Sequence, residues 1–171
     1  MQALGLVWDG IDPLEADAQE KRIAIREPVH FGARLLFDNW RKLHADSGFV
    51  VHRDVPSRAL ASVLRNLVVY EPVEQGRDFR ARLAGSALIR RFDCDITGLK
   101  LSELFDPATF QTHRKMMQRV IDTGEHAALD IHLLVQGRSQ LHFEVLCLPV
   151  LSPDRAETWP LIGLFYYDWA A

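Results

Sequence analysis

The chain of 171 residues has little of what marks secreted, membrane or nucleic-acid-binding proteins. Its two cysteines, Cys94 and Cys147, are too few for a disulfide framework, which favours a reducing cytoplasmic environment. No apolar run approaches the length that crosses a bilayer, and the N-terminus lacks the basic start of a signal peptide. Twenty Lys and Arg against twenty-three Asp and Glu argue against nucleic-acid binding through bulk positive charge. We therefore expect a cytoplasmic protein that binds neither nucleic acid nor membrane.

The composition is that of a globular domain, with 48% hydrophobic and 25% charged residues. The first twenty residues carry five acids and no Lys or Arg, so we predict that residues 1–27 form a flexible acidic arm. Apolar residues then recur at three- and four-residue steps, which predicts a helical extension over residues 28–65. The remainder, residues 66–171, alternates between strand and helix patterns and is predicted to be the main domain.

Within that domain, two strand patterns precede a group of short helical turns and one long helix, and three strand patterns follow. Asp106 and Pro107 have the chemistry of an N-cap and a first helical residue, and they place the start of the long helix. Helices inserted between a hairpin and a three-strand meander indicate an α+β domain with an antiparallel sheet. The last strand pattern, residues 159–169, is apolar on both faces and is therefore predicted to lie centrally in the sheet.

The third and fourth predicted strands form a hairpin in which Ile131 is expected opposite Val145. This register places apolar side chains on one shared face. On the other face it puts His132 beside Glu144, with His142 displaced along the neighbouring strand. Two imidazoles and a carboxylate are good zinc ligands, but a metal site needs tight geometry, and this displaced arrangement does not favour one. We therefore predict no metal site.

Three motifs resemble a known family. They are Asp78–Gly85, then Phe92 with Asp95–Phe105, and the helical lead-in Asp38–Arg41. Together they resemble the PAS domain superfamily, in particular a subfamily of short, stand-alone bacterial PAS proteins, from about Phe31 onward. The resemblance implies a five-stranded antiparallel sheet in the order 2-1-5-4-3, with helices on one face and an N-terminal helical extension.

PAS domains bind small ligands or other proteins and commonly dimerise through flanking helices. The resemblance thus implies a non-catalytic bacterial signalling module that senses a small ligand, interacts with proteins and forms a homodimer. Because no output domain is recognisable, we expect an unknown signalling partner. Two alternatives stay open: a sensor that binds haem or another cofactor, and a small α+β enzyme with a buried histidine, which no residue spacing favours.

A ligand pocket of such a domain lies between the inner sheet face and the helices. The candidate lining residues, which could equally be close-packed core, are Phe92, Phe105, Phe110, His113, Met117, Leu133, Phe143 and Val145.

The cofactor is unknown. Haem-binding relatives supply an axial histidine from the helix that holds His113, although a stripe of this kind is more often plain core. Flavin-binding relatives carry an Asn-Cys-Arg-Phe-Leu-Gln motif that is missing around Cys94, so flavin is not favoured.

The helical extension carries an apolar stripe that needs a partner: Leu36, Phe37, Trp40 and Leu43. The strand pattern places a second apolar surface on the outer sheet face, and its members are Leu146, Leu148, Val150, Ile162 and Leu164. Contiguous apolar surface usually marks an interface. We predict that the stripe covers the outer face, or pairs with its counterpart in a homodimer, or does both.

Overall fold

The computed structural model describes residues 18–136 and 138–167. This part of the chain is an α+β domain built on one antiparallel sheet. The strands are β1 (Ala18–Ile25), β2 (Leu67–Val73), β3 (Asp78–Ala84), β4 (Ala127–Val135), β5 (Arg138–Leu151) and β6 (Thr158–Tyr166). The helices are α1 (Phe31–Asp46), α2 (Ser86–Phe92), α3 (Leu101–Leu104) and α4 (Pro107–Thr123), with short 3-10 turns at Arg58–Leu60, Leu64–Asn66 and Glu74–Gly76.

The strand order β1-β4-β5-β6-β2-β3 contains the five-strand arrangement that the sequence predicts. Strands β3, β2, β6, β5 and β4 follow one another as the predicted order 2-1-5-4-3, so the fold class is confirmed. Strand β6 lies between β5 and β2, in the central position expected of a strand that is apolar on both faces.

Strand β1 is an addition that corrects the expectation of a flexible arm over residues 1–27. It pairs with β4 from Ala18 opposite Val135 to Ile25 opposite Ala128. The polar side chains of this segment give no clear strand pattern. The segment forms a strand because the edge of β4 has backbone N–H and C=O groups that need hydrogen-bond partners, and β1 supplies them. The rest of the predicted arm, residues 1–17, lies outside the described residues.

The predicted helix boundaries have identifiable caps. The Gly32 backbone N–H donates to Nδ1 of His30 at 3.0 Å, which caps the start of α1. The chain after α1 turns at Gly48, where φ is +77°. At α4, the Asp106 carboxylate accepts hydrogen bonds from two backbone N–H groups of the first turn, as the sequence predicts. Gly124, with φ +69°, ends that helix.

The sheet has an apolar core on each face. Helix α1 packs on the outer face, where Leu36 and Trp40 belong to the same buried cluster as Leu146 and Leu148. Helices α2, α3 and α4 cover the inner face, where they enclose side chains of β2, β4, β5 and β6. No helix among the described residues is long and apolar enough to cross a membrane.

The predicted interface residues are buried within one chain. Leu36, Phe37 and Trp40 of α1, with Leu146 and Leu148 of β5, are each at most 5% exposed. Leu43 is half-buried at the edge of the same cluster. This packing leaves the predicted stripe unavailable as a dimer surface, so a homodimer would have to use another part of the molecule.

The prediction that Ile162 and Leu164 of β6 lie on the outer face is wrong. Leu161 and Phe165 of β6 pack on the outer side, whereas Ile162 belongs to the inner core and Leu164 packs against it. The assignment failed because β6 is apolar at nearly every position. Alternation therefore gives no indication of which residues of this strand point to which face.

The hairpin of β4 and β5 differs from the predicted register by two residues. Ile131 lies opposite Phe143 rather than Val145, and Val135 pairs with Arg138, which shortens the connection. A bulge after Leu133 shifts the pairing further. A slip of two residues keeps every side chain on its predicted face, so the hydrophobic pattern cannot detect it. Its consequence is on the outer face, where His132 lies directly opposite His142.

Candidate functional site

A cavity of about 260 Å³ lies between the inner sheet face and helices α2, α3 and α4. The lining comes from all three helices and from every strand except β3. The lining residues are Glu20, Arg22, Val68, Tyr70, Leu88, Arg91, Phe92, Leu101, Phe105, Asp106, Thr109, His113, Met116, Met117, Ile131, Phe143, Val145, Ile162, Leu164 and Tyr166.

Most of the sequence-predicted lining residues meet at this cavity, namely Phe92, Phe105, His113, Met117, Phe143 and Val145. Two do not. Phe110 packs against the surrounding inner core without reaching the cavity, and Leu133 is buried farther along β4. Leu133 lies opposite Leu141, next to the bulge that ends the regular pairing, and this position takes it past the end of the cavity.

Tyr70 brings a phenol hydroxyl to the lining. The residue is 3% exposed, and burial raises the pKa of its hydroxyl well above the usual range. The phenol is therefore neutral at any physiological pH. Among the described residues its hydroxyl has no hydrogen-bond partner. It can therefore offer both a donor and an acceptor to a molecule in the cavity.

His113 projects from α4 and packs against Phe105, with ring centroids 4.6 Å apart. Burial lowers the pKa of His113 to about 4, with a smaller contribution from the positive charge of Arg22, while Asp106 acts in the opposite direction. The imidazole is therefore neutral at pH 7. A neutral imidazole has one nitrogen that donates a hydrogen bond and one that accepts.

Charged residues border the cavity on the side of β1. Glu20 and Arg22 of this strand form an ion pair, and both side chains are about one-third exposed. On the helical side, the Arg91 guanidinium lies 3.8 Å from the centre of the Tyr166 ring, in a cation–π arrangement. Sequence reasoning missed Glu20 and Arg22 because it treated their segment as a solvated arm. These residues reach the cavity because β1 pairs with β4 at the edge of the sheet, and the local sequence of β1 does not indicate this pairing.

The fold and the cavity agree with the result of a family comparison. A family model described as a PAS domain matches residues 29–165, which is most of the chain. This chain belongs to the PAS domain family. Comparisons with curated proteins and with solved structures gave no significant match. The family supports a role for the chain as a signalling and sensory module, and PAS domains are generally non-catalytic.

The cavity of this PAS domain is small for haem, and Cys94 lies outside it. Its cavity of about 260 Å³ lies below the range of about 300–1,000 Å³ typical of pockets for drug-sized ligands, and haem is larger than most of those. His113 does line the cavity, but a tetrapyrrole beside it would have to displace neighbouring side chains. Cys94 is half-buried next to α2 and does not line the cavity, so it is not placed to react with a bound flavin.

The lowered pKa of His113 predicts a pH dependence of stability. Between about pH 6.5 and 4 the unfolded chain binds a proton at this residue that the folded domain does not bind. The free energy of unfolding therefore falls as the pH decreases through this window, by about 2–3 kcal/mol from this group. His113→Gln removes this contribution, because glutamine does not titrate.

Urea denaturation of the wild type and of His113→Gln at pH 7 and pH 4.5 measures this effect. We expect the variant to lose about 2 kcal/mol less stability than the wild type over that interval. Every other titrating group is common to both proteins and cancels in the comparison. Parallel losses in the two proteins would show that His113 is not kept neutral by the fold.

Proposed function

We propose that this PAS domain senses a small, largely apolar molecule that binds in the cavity between the inner sheet face and the helices. The observation that carries the proposal is the Tyr70 hydroxyl, which faces this apolar space without a hydrogen-bond partner among the described residues. A buried polar group without a partner costs free energy, and a ligand that hydrogen-bonds to it recovers that cost. Aromatic and aliphatic side chains around it provide the apolar contact.

The polar groups of the lining favour a ligand with an uncharged hydrogen-bonding group. Tyr70 and His113 are both neutral at pH 7 because of their burial. Of the charged groups, Glu20 and Arg22 pair with each other, the Asp106 carboxylate caps α4, and the Arg91 guanidinium packs over the ring of Tyr166. The charge of Arg22 still contributes to the lowered pKa of His113, and so favours its neutral form. A hydroxyl, carbonyl or amide group on an aromatic or aliphatic body is the chemistry that these residues match best.

Strand β5 offers a route from the cavity to α1. Its residues Phe143 and Val145 line the cavity on the inner face, while Glu144 and Leu146 hold α1 on the outer face. Because these side chains alternate along one strand, a ligand that moves β5 also moves the attachment of α1. We propose that α1 passes the signal to a protein partner in this way.

We also propose that the protein forms a homodimer, through a surface other than the stripe of α1 that is buried against its own sheet. Val29 and Phe31, at the start of α1, are 72% and 80% exposed and are the candidates for it. Large exposed apolar side chains in a row mark interaction sites more often than isolated ones do.

Native mass spectrometry of the protein purified from its own host tests ligand binding. We expect the wild type to carry a non-covalent small molecule, and Val145→Trp to carry none, because the indole fills the cavity that Val145 lines. The matched control is Val29→Trp, the same substitution at a 72% exposed position, which should retain the ligand. A bare-chain mass for the wild type, or the same adduct on Val145→Trp, would contradict the proposal.

A further inference from the structure

The corrected register of the β4–β5 hairpin brings three metal-ligating side chains together on the outer sheet face. Asp130 and His132 alternate on β4, and His142 lies opposite His132 on β5. We propose that these three residues bind a divalent transition-metal ion, with Zn²⁺ as the reference ion. The site is separate from the cavity, because these side chains point to the opposite face of the sheet.

The distances within the cluster are close to those of a metal site. Nε2 of His142 lies 2.6 Å from Oδ1 of Asp130, and Nε2 of His132 lies 3.3 Å from Oδ2. One ligand atom from each of the three residues can be chosen so that all lie within 4.8 Å of one another. Ligand atoms on one tetrahedral zinc are about 3.3–3.5 Å apart, given its bond lengths. Side-chain rotations that tilt the two imidazoles toward a common point would bring all three ligand atoms onto one ion.

The imidazoles are held in place by ring stacking and by a supporting hydrogen bond. His132 stacks on His142 with centroids 3.9 Å apart, and Tyr167 stacks on the other side of His142 at 4.0 Å. The Tyr167 hydroxyl in turn donates to the carboxylate of Glu144 at 2.5 Å. These contacts keep the two imidazoles next to each other, but the lone pairs of near-parallel rings do not converge, so binding of one ion requires His132 and His142 to tilt out of the stack.

Exposure and ligand type indicate which ions can bind. The side chains of Asp130, His132 and His142 are each about one-quarter exposed, so an ion can reach them from solvent. Two nitrogen ligands and one oxygen suit Zn²⁺, Ni²⁺ or Cu²⁺ rather than Mg²⁺ or Ca²⁺. Lys21 of β1 lies opposite His132, and its positive charge moderates the affinity. Three protein ligands leave a coordination position open for water or for a group from a partner.

Titration calorimetry of the full chain with ZnCl₂, after removal of metal with a chelator, tests this site. We expect one ion per chain with low-micromolar or tighter affinity. His132→Gln, His142→Gln and Asp130→Asn should each weaken binding at least tenfold. Asp130→Asn keeps the size of the side chain and a hydrogen-bond acceptor, which protects the test against loss of folding. The control is His44→Gln on α1, away from the cluster, which should leave the affinity unchanged.

A second readout identifies the ligands directly. On addition of Zn²⁺, the imidazole nitrogen resonances of His132 and His142 should change together, with saturation at one equivalent, while those of His44 should not. The proposal is overturned if the wild type shows no saturable one-to-one binding at Zn²⁺ concentrations up to about 100 µM. It is equally overturned if His44→Gln loses as much affinity as His132→Gln. Either result would leave the cluster as a hydrogen-bonded polar patch.

Discussion

Replacing Trp40 by alanine is expected to lower the free energy of unfolding by about 3–5 kcal/mol. The indole is 5% exposed and packs between the rings of Phe37 and His44. Its Nε1–H also donates to the carbonyl oxygen of Pro149 at 2.8 Å, which ties α1 to β5. Alanine removes both the apolar contact and this hydrogen bond, and it leaves a cavity between helix and sheet.

Equilibrium urea denaturation measures this loss. Phe31→Ala is the matched control, because Phe31 lies on the same helix, is aromatic and is 80% exposed. We expect the control to change stability by less than about 0.5 kcal/mol. Trp40→Phe keeps a ring but loses the donor, so its stability should fall between those of the wild type and Trp40→Ala. A loss below about 1 kcal/mol for Trp40→Ala would show that α1 is not anchored to the sheet in this way.

Glu144→Ala is expected to destabilise the domain by a similar amount, about 3–5 kcal/mol. The carboxylate is 2% exposed and accepts hydrogen bonds from the backbone N–H groups of Val29 and His30 and from the Tyr167 hydroxyl. It therefore holds the chain that enters α1 and the residue that follows β6. Alanine would leave all three donors without this acceptor.

Thermal and urea unfolding of three variants separates this effect from a general effect of charge. Glu144→Gln keeps one carbonyl oxygen as an acceptor, so we expect a smaller loss of about 1–3 kcal/mol. Glu125→Ala removes an exposed carboxylate after α4 and should be nearly neutral. Equal stabilities of Glu144→Ala and Glu125→Ala would contradict the role of Glu144 as the anchor of α1.

Local chemistry made much of the fold predictable from sequence. Asp106 and Pro107 marked the start of α4 because capping depends on only a few neighbouring residues. The apolar stripe of α1 and the position of β6 followed from residue patterns. The order of the strands followed from the resemblance to PAS domains, which the family comparison confirms.

What the sequence could not reveal depends on pairing between distant segments. Strand β1 forms because β4 has an open edge, and this condition leaves no signature in the polar residues around Glu20. The two-residue slip of the hairpin preserves the alternation of faces, so His132 and His142 could not be placed opposite each other. Six cavity residues were found because inward-facing apolar positions are periodic. The sequence does not predict strand β1, and so it does not place Glu20 and Arg22 at the cavity.

Helix α1 packs on the outer face of the sheet, and we propose that the cavity on the inner face binds a ligand. Strand β5 provides the most direct test, because adjacent residues belong to opposite faces. In protein with ¹³C-labelled methyl groups, titration with indole as a small aromatic probe should shift the signals of Val145 and Ile162, which line the cavity. The signals of Leu146 and Leu148, buried under α1, should shift less, because the probe affects them only indirectly, through movement of β5. No saturable shift, or equal shifts on both faces, would contradict the account.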